Sequence, residues 1–426
     1  QFMSLTEKDS QYLWHPYTQH KTAGDFPVMV KGEGARLWDE NNKEYIDAIA
    51  SWWVNPYGHA NKYIADCIYK QLITLEHVLF GGFTHAPAVE LTQELLKILP
   101  KNQQKIFFSD NGSTAIEVAL KTAFQYHHNQ GIPKNTIVAF EDAFHGDTFG
   151  AMSVSGISLF TEVFKGQTLN VQRIPVPLKG KEHETKQKLL QILTENQVAA
   201  FIFEPLVLGA AGMVMYAPET LDELISICKA HSVLTIADEV MTGFGKTGKI
   251  FACDYLQEQP DMMCLSKALT AGVLPMSITT FTQEIFEAFY DEDVNKALFH
   301  GHSFTANPVG CAAAIASLEL LQTPKIQSDI SRVNQLHTEF KQVLANHPKV
   351  ENIRLLGVIL AFEVKTNQVF EYYGGLRNKM YNYFIEQGII LRPVGNIIYI
   401  LPPYIITDEQ LKRVYEVVLE VLDIIE

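Results

Sequence analysis

Asp238 and Lys267 are the two residues from which chemistry can be read first. Asp238 closes the apolar run that starts at Leu234, and Lys267 follows the run Met262 to Leu265 after a single serine. Short apolar runs bounded by Gly-rich loops read as buried parallel strands. In open parallel sheets the chemistry sits just beyond the strand carboxyl ends. An acid at one such end and a lysine at a nearby one form the pairing that pyridoxal phosphate requires. The lysine condenses with the cofactor's aldehyde, and the acid keeps the pyridine nitrogen protonated so that the ring can draw electrons. Taken singly, each residue reads more simply as solvated surface. A phosphate cup, an aromatic wall and an arginine elsewhere in the chain decide between the two.

A cup is present. Lys105 to Ser109 reads as a strand that runs through Asp110-Asn111-Gly112-Ser113-Thr114 into a helix over 115–128. Strand, glycine, two hydroxyls and a helix start make an anion site, although Ser and Thr also cap ordinary helices. Phe144-His145-Gly146 lies past the end of another strand, Thr136 to Phe140. Phe144 can lie flat on a ring, whereas His145 fits a structural histidine equally well. Trp52 and Trp53 adjoin a Gly/Pro-rich turn. Adjacent residues of an extended segment point to opposite sides, so at most one tryptophan of the pair is expected in any given pocket, and core packing is the plainer reading of either. Arginine is scarce, and Arg392, between an apolar strand and Pro393-Val394-Gly395, is the best placed to clamp a carboxylate. A surface ion pair is the plainer reading of that residue. His300 and His302 have no third ligand beside them, so no metal is expected.

The surrounding elements must position these groups. The chain has 426 residues, of which 47% are apolar and 19% charged, enough for two domains. A net charge of −14 argues against nucleic acid and anionic membrane as partners. No apolar run approaches the ~20 residues of a spanning helix. QFMSLTEKDSQ lacks the basic and apolar regions of a signal peptide, and Met3 reads as the natural start. Five scattered cysteines with no CxxC read as reduced thiols of a cytoplasmic protein. Residues 28–47 read as a β-meander, and helical spacing covers 64–79, 88–99 and 218–231. Strands and helices alternate through 105–280, which predicts an α/β domain with a mostly parallel sheet. From about 325 the pattern becomes helix 326–346, one strand 353–363, helix 374–387, strands 389–400 and helix 408–424.

At this point the motifs converge. Asn111-Gly112-Ser113, Phe144-His145-Gly146, Asp238-Glu239-Val240, the stretch Thr242 to Gly248, Ser266-Lys267 and His300 to Phe304 with Asn307-Pro308 together resemble a class III pyridoxal-phosphate aminotransferase. The match covers nearly the whole chain. It implies the aspartate-aminotransferase-like fold, fold type I. A large domain over 61–320 would carry the cofactor, and 321–426 would form a smaller α+β domain. Residues 1–60 would contribute to that small domain and to the active site. Trp14 to Tyr17, Ser51-Trp52-Trp53, His145 to Ser153 and Arg392-Pro393 bring the chain nearest to the biotin-pathway members of the class. Their acceptor is 8-amino-7-oxononanoate, and their donor is S-adenosylmethionine or, in some, lysine.

The resemblance implies that Lys267 holds the cofactor and Asp238 pairs with its ring nitrogen. Gly112 and Ser113 would bind phosphate, with Ser303 reaching the phosphate of the other subunit of a homodimer. Phe144 and Val240 would sandwich the ring, with His145 beside it. Tyr17, Trp52, Trp53, Phe144, Asp147, Lys246 and Arg392 would contact substrate, Arg392 at a carboxylate. Three positions depart from the usual pattern: Phe144 replaces a tyrosine, Lys246 an arginine and Val394 a phenylalanine. The first two fall where the donor would be recognised, so the donor is left open between S-adenosylmethionine and lysine.

Overall fold

The apolar runs between 103 and 282 meet in one seven-stranded sheet. In a computed structural model that describes residues 3–425, its strands are β1 (Gln103–Ser109), β2 (Thr136–Phe140), β3 (Val171–Ile174), β4 (Val198–Phe203), β5 (Leu234–Asp238), β6 (Met262–Leu265) and β7 (Ser277–Thr282). Their spatial order is β1-β7-β6-β5-β4-β2-β3. Neighbours from β6 to β3 are parallel, and only β7 runs against the rest. Every residue of β2, β4, β5 and β6 is buried, as expected of strands covered on both faces. In the β5–β6 register Asp238 lies opposite Cys264, three residues before Lys267. Both residues therefore reach the same edge of the sheet. Because β7 is antiparallel, its amino end at Met276 arrives there too.

Two helices lock this edge. The helix Gly112–Asn129 is bound to the sheet at its start, where Thr279 Oγ1 donates to the Ala115 carbonyl at 2.8 Å. Pro308–Leu321 is rich in alanine and almost wholly buried. From it Ser317 Oγ donates to the Ala268 carbonyl at 2.9 Å and fixes the turn that begins at Lys267.

Segments from the two ends of the chain build smaller sheets, a second body beside the first. Strands Met29–Glu33, Arg36–Asp39 and Glu44–Asp47 form the expected meander. Its last strand pairs in parallel with Ile389–Ile390, Ile46 opposite Ile389, so the two ends of the chain share one sheet. Residues 353–363 are not one strand. Val350–Leu356 and Ile359–Val364 form a hairpin that Ile397–Ile400 extends. The break falls at Gly357, whose φ is +59°. A Cβ there would lie 2.2 Å from the Thr247 carbonyl carbon, so the hairpin tip seats backbone against backbone as only glycine allows. The helix expected over 64–79 also ends early, at Leu72. Leu72, Ile73 and Leu79 are exposed in this chain, so their helical spacing does not report burial in its core.

His337, in the helix Pro324–Ala345, is fully buried in the second body. Its Nε2 donates to the Val358 carbonyl at 3.0 Å, and its Nδ1 accepts from the Tyr415 hydroxyl at 2.6 Å. Burial pushes its pKa down to about 4. An unfolded histidine takes its proton near ~6.5, so this group weakens folding as pH falls from about 6.5 towards 4, by roughly 2 kcal/mol at pH 5. Glu204 and Glu239, both pushed up to about 7 by burial, act in the opposite sense across this range. A comparison of variants separates the two. His337→Gln should lose less thermal stability than the wild type between pH 7.5 and pH 5, and equal losses would place the acid lability elsewhere.

Candidate active site

A cavity of about 760 Å³ opens at the carboxyl edge of the seven-stranded sheet. Lys267 Nζ stands in it, 4.2 Å from the centre of the Trp53 ring. Its backbone φ is +48°, a strained value for a lysine. Ser266 Oγ holds the turn from the other side by donating to the Met276 carbonyl at 2.7 Å. Burial pushes the Lys267 ammonium down to about 8, against the pull of Asp238 and Glu204. Asp238 faces the same space and is 6% exposed. Its Oδ2 meets His145 Nδ1 at 2.6 Å, and its Oδ1 accepts the Val240 amide at 3.0 Å. The other nitrogen of His145, Nε2, is buried without a partner among the described residues.

The start of the helix Gly112–Asn129 closes one end. Asn111 Oδ1 caps the Thr114 amide at 2.9 Å, and the Ala115 amide bonds to the Asn111 carbonyl. Gly112 and Ser113 are left with amides that have no protein acceptor among the described residues, and both line the cavity. Two glycines make the slot narrow. A Cβ on Gly112 would lie 2.8 Å from Val240 Cγ1, and one on Gly146 would lie 2.0 Å from Ser113 Oγ. Gly146 also has a φ of +129°. Phe144 and Val240 both border the space. The Phe144 amide is held by Glu204 Oε1 at 2.9 Å, and Glu204 Oε2 accepts the Gly209 amide at 2.9 Å. Burial pushes the Glu204 carboxyl up to about 7, with His145 opposing.

An amine, a carboxylate, two free amides at a positive helix end and apolar walls match the aldehyde, ring nitrogen, phosphate and flat ring of pyridoxal phosphate. The residues present fit that group. Residues 18–422 match the family model described as aminotransferase class-III. The chain belongs to the class III aminotransferases. It is similar to the adenosylmethionine-8-amino-7-oxononanoate aminotransferase of Synechococcus elongatus, 46% identical with 97% of this chain and 98% of the relative covered. The enzyme of the same name from Geobacter sulfurreducens is 37% identical, covering 96% of this chain and 95% of the relative. Among solved structures, the adenosylmethionine-8-amino-7-oxononanoate aminotransferase of Methanocaldococcus jannaschii superposes with a TM-score of 0.93 at 32% identity, over 98% of each chain. The omega transaminase of Pseudomonas jessenii in complex with PMP superposes at 0.92 with 28% identity, over 99% of this chain and 98% of that one.

The fold gathers most of the residues singled out from the sequence. Tyr17, Trp52, Trp53, Gly112, Ser113, Phe144, His145, Asp147, Asp238, Val240, Lys267 and Arg392 all line this aminotransferase's cavity. Both tryptophans do so, as the resemblance implied, where spacing alone allowed at most one. Trp52 and Trp53 sit in a tight turn, not an extended segment, with φ of +48°, +61° and +65° at Ala50, Ser51 and Trp53. Buried Asp47 pins that turn by accepting the Ile49 and Ser51 amides at 3.1 and 2.7 Å and His59 Nε2 at 2.8 Å. Trp52 packs edge-on to Tyr17, whose hydroxyl bonds to Asp147.

Two residues lie elsewhere. Lys246 is fully buried outside the cavity lining, with Nζ 3.5 Å from the Gly243 carbonyl. Burial and the charge of Lys267 push it down to about 7. Its amine is turned into the loop Thr242 to Gly248, so the structure does not place it where a substrate contact was expected. Ser303 lies away from this cavity, and its carbonyl accepts His77 Nε2 at 2.6 Å. Sequence reasoning missed Glu204 and Arg377, which also line the cavity. An acid at the end of an apolar run was a usable signal for Glu204. Arg377 lies in the helix Gly375–Glu386 with no motif around it.

Gly146→Ala tests the slot. The added methyl must push Ser113 or the loop aside, so cofactor affinity should fall by about tenfold or more, read as loss of visible absorbance on dialysis. Full retention would show that the close approach is dispensable.

Proposed function

We propose that this chain transfers an amino group from S-adenosylmethionine to 8-amino-7-oxononanoate, giving 7,8-diaminononanoate in biotin synthesis, with pyridoxal phosphate as its cofactor. The full-length similarity to enzymes of that name supports the reading. The observation that carries it is the distribution of charge along the cavity. Lys267 lies over Trp53, and Arg392 lies over Trp52 with its guanidinium 5.1 Å from the ring centre. Arg392 has no acidic partner among the described residues. The tandem tryptophans thus separate an amine end from a cationic end, as a keto acid with its ketone and carboxylate far apart requires.

Pyridoxal phosphate, when bound, supplies the carbonyl that takes up the amino group and the ring that takes up electrons. Lys267 Nζ, partly neutral near pH 8, accepts the proton from the amine-bearing carbon and returns it. Asp238, steadied by His145 and the Val240 amide, sets a fixed negative charge against a protonated ring nitrogen. The free Gly112 and Ser113 amides would hold the cofactor's phosphate. Phe144, Phe160 and Tyr372 pack edge to edge (centroids 5.5 and 5.4 Å apart) and wall out water.

A homodimer in the cytoplasm completes the proposal. Exposed Phe83 and Phe304 offer apolar surface for a second subunit, and five free cysteines suit a reducing compartment. No helix among the described residues is long and apolar enough to cross a membrane.

Formation of 7,8-diaminononanoate should be supported by S-adenosylmethionine well above the level with lysine. Product with lysine alone would make Phe144 and the withdrawn Lys246 marks of a different donor, and no product with either would overturn the assignment. Lys267→Ala should lower turnover by roughly a thousandfold or more, and substantial steady-state activity in that variant would contradict its role.

A further inference from the structure

Arg377 is 7% exposed and lines the same cavity as Arg392. Its Nε donates to the Pro393 carbonyl and its Nη1 to Asn378 Oδ1, each at 3.2 Å. Its Nη2 has no acceptor among the described residues. The guanidinium lies 4.5 Å from the centre of the Tyr381 ring and 5.3 Å from that of Tyr373. The other arginines are differently placed. Arg36, Arg332, Arg354 and Arg413 have acidic partners, and Arg173 is held by carbonyls between 2.6 and 3.4 Å. Arg377 and Arg392 are cavity arginines with no acid beside them among the described residues.

Burying a guanidinium without an anion is costly, and placing a second one nearby adds repulsion. Burial and Arg392 both press the Arg377 pKa downward. An arginine keeps its charge even so. The aromatic faces of Tyr373, Tyr381 and Trp52 offset part of the cost, but no protein group neutralises the pair. An arrangement of this kind is complete only with an anion between its two guanidinium groups. Arg377 is also held rigidly. One edge is tied to Pro393, next in the chain to Arg392, which leaves its free nitrogen fixed relative to its neighbour.

We propose that Arg377 is a second substrate-binding residue, whose free Nη2 joins Arg392 in holding the carboxylate of the acceptor at the end of the cavity remote from Lys267. The inference rests on the acceptor reading above and goes beyond it by making carboxylate recognition a two-arginine device. A long-chain amino ketone acid is then selected over its neutral counterparts by paired charge as well as by one clamp.

The test compares 8-amino-7-oxononanoate with its methyl ester in the cofactor-loaded wild type, R377Q and R377K. In R377Q the KM for the acid should rise by about 10- to 100-fold, the range for loss of a charge-assisted hydrogen bond. The values for the ester should hardly move. R377K should recover part of the acid preference. Equal losses on acid and ester would mean that Arg377 only supports the Pro393 loop, and an unchanged KM for the acid would remove it from the site; either overturns the proposal. Inhibition by nonanoate of whichever amine the enzyme deaminates reads the same two cations without the acceptor. A wild type that cannot aminate 8-amino-7-oxononanoate, yet loses nonanoate inhibition on R377Q, would refute the acceptor and retain the two-arginine site. Nonanoate inhibition that is the same in both proteins would refute the two-arginine site itself.

Discussion

Asp238 and Lys267 can cooperate only because β5 and β6 run parallel in one register, with Asp238 opposite Cys264. A slip of one residue would turn every side chain of a strand to the other face. It would carry Asp238 away from His145 and the Val240 amide that keep its charge tolerable in a buried place. The burial of both strands, with no polar face to offer an alternative pairing, holds the register. Lys267 adds a local constraint. Its left-handed backbone is held by Ser266 and Ser317, through bonds to Met276 and Ala268. The strain at that residue is maintained by packing at a distance from it, as at other functional sites.

The second body supplies one wall of the cavity, and the large sheet supplies Asp238 and Lys267. Arg377, Arg392 and Tyr399 reach the cavity from the C-terminal part of the chain, and Tyr17, Trp52 and Trp53 from the N-terminal part. The Ile46–Ile389 pairing makes these distant segments one support. Arg354 ties that support to the loop that follows β4, donating to the Gly212 and Met213 carbonyls at 2.5 and 2.7 Å. These cavity residues are therefore fixed relative to Lys267 by backbone pairing and buried hydrogen bonds.

Much of this was legible in the sequence because it depends on local pattern. Apolar runs gave the strands, and their ends gave Asp238 and Lys267. A glycine and a serine before an amphipathic helix gave the cup. What was not legible depends on contacts between remote residues. Spacing alone allowed at most one of the tandem tryptophans in the cavity, and only the resemblance implied both, because the turn that aims both inward is held by Asp47, itself bonded to His59. The hairpin at Gly357 exists because its tip rests on Thr247, over a hundred positions earlier. Arg377 looked like any helical arginine, since nothing local shows that a carbonyl and two tyrosine rings hold it facing a cavity. The resemblance implied a substrate contact for Lys246, and its burial in the loop keeps it out of the cavity lining.

Two buried lysines have lowered pKa values, Lys246 beside Glu239 and Lys267 beside Asp238 and Glu204, and only Lys267 faces the cavity. The most direct measurement is to load the protein with pyridoxal phosphate, reduce it with borohydride and locate the attached pyridoxyl group by peptide mass mapping. Attachment at Lys267 alone is the predicted result. Attachment at Lys246, or at neither lysine in a protein that has taken up the cofactor, would contradict the placement of the acid–lysine pair on which the rest of the site depends.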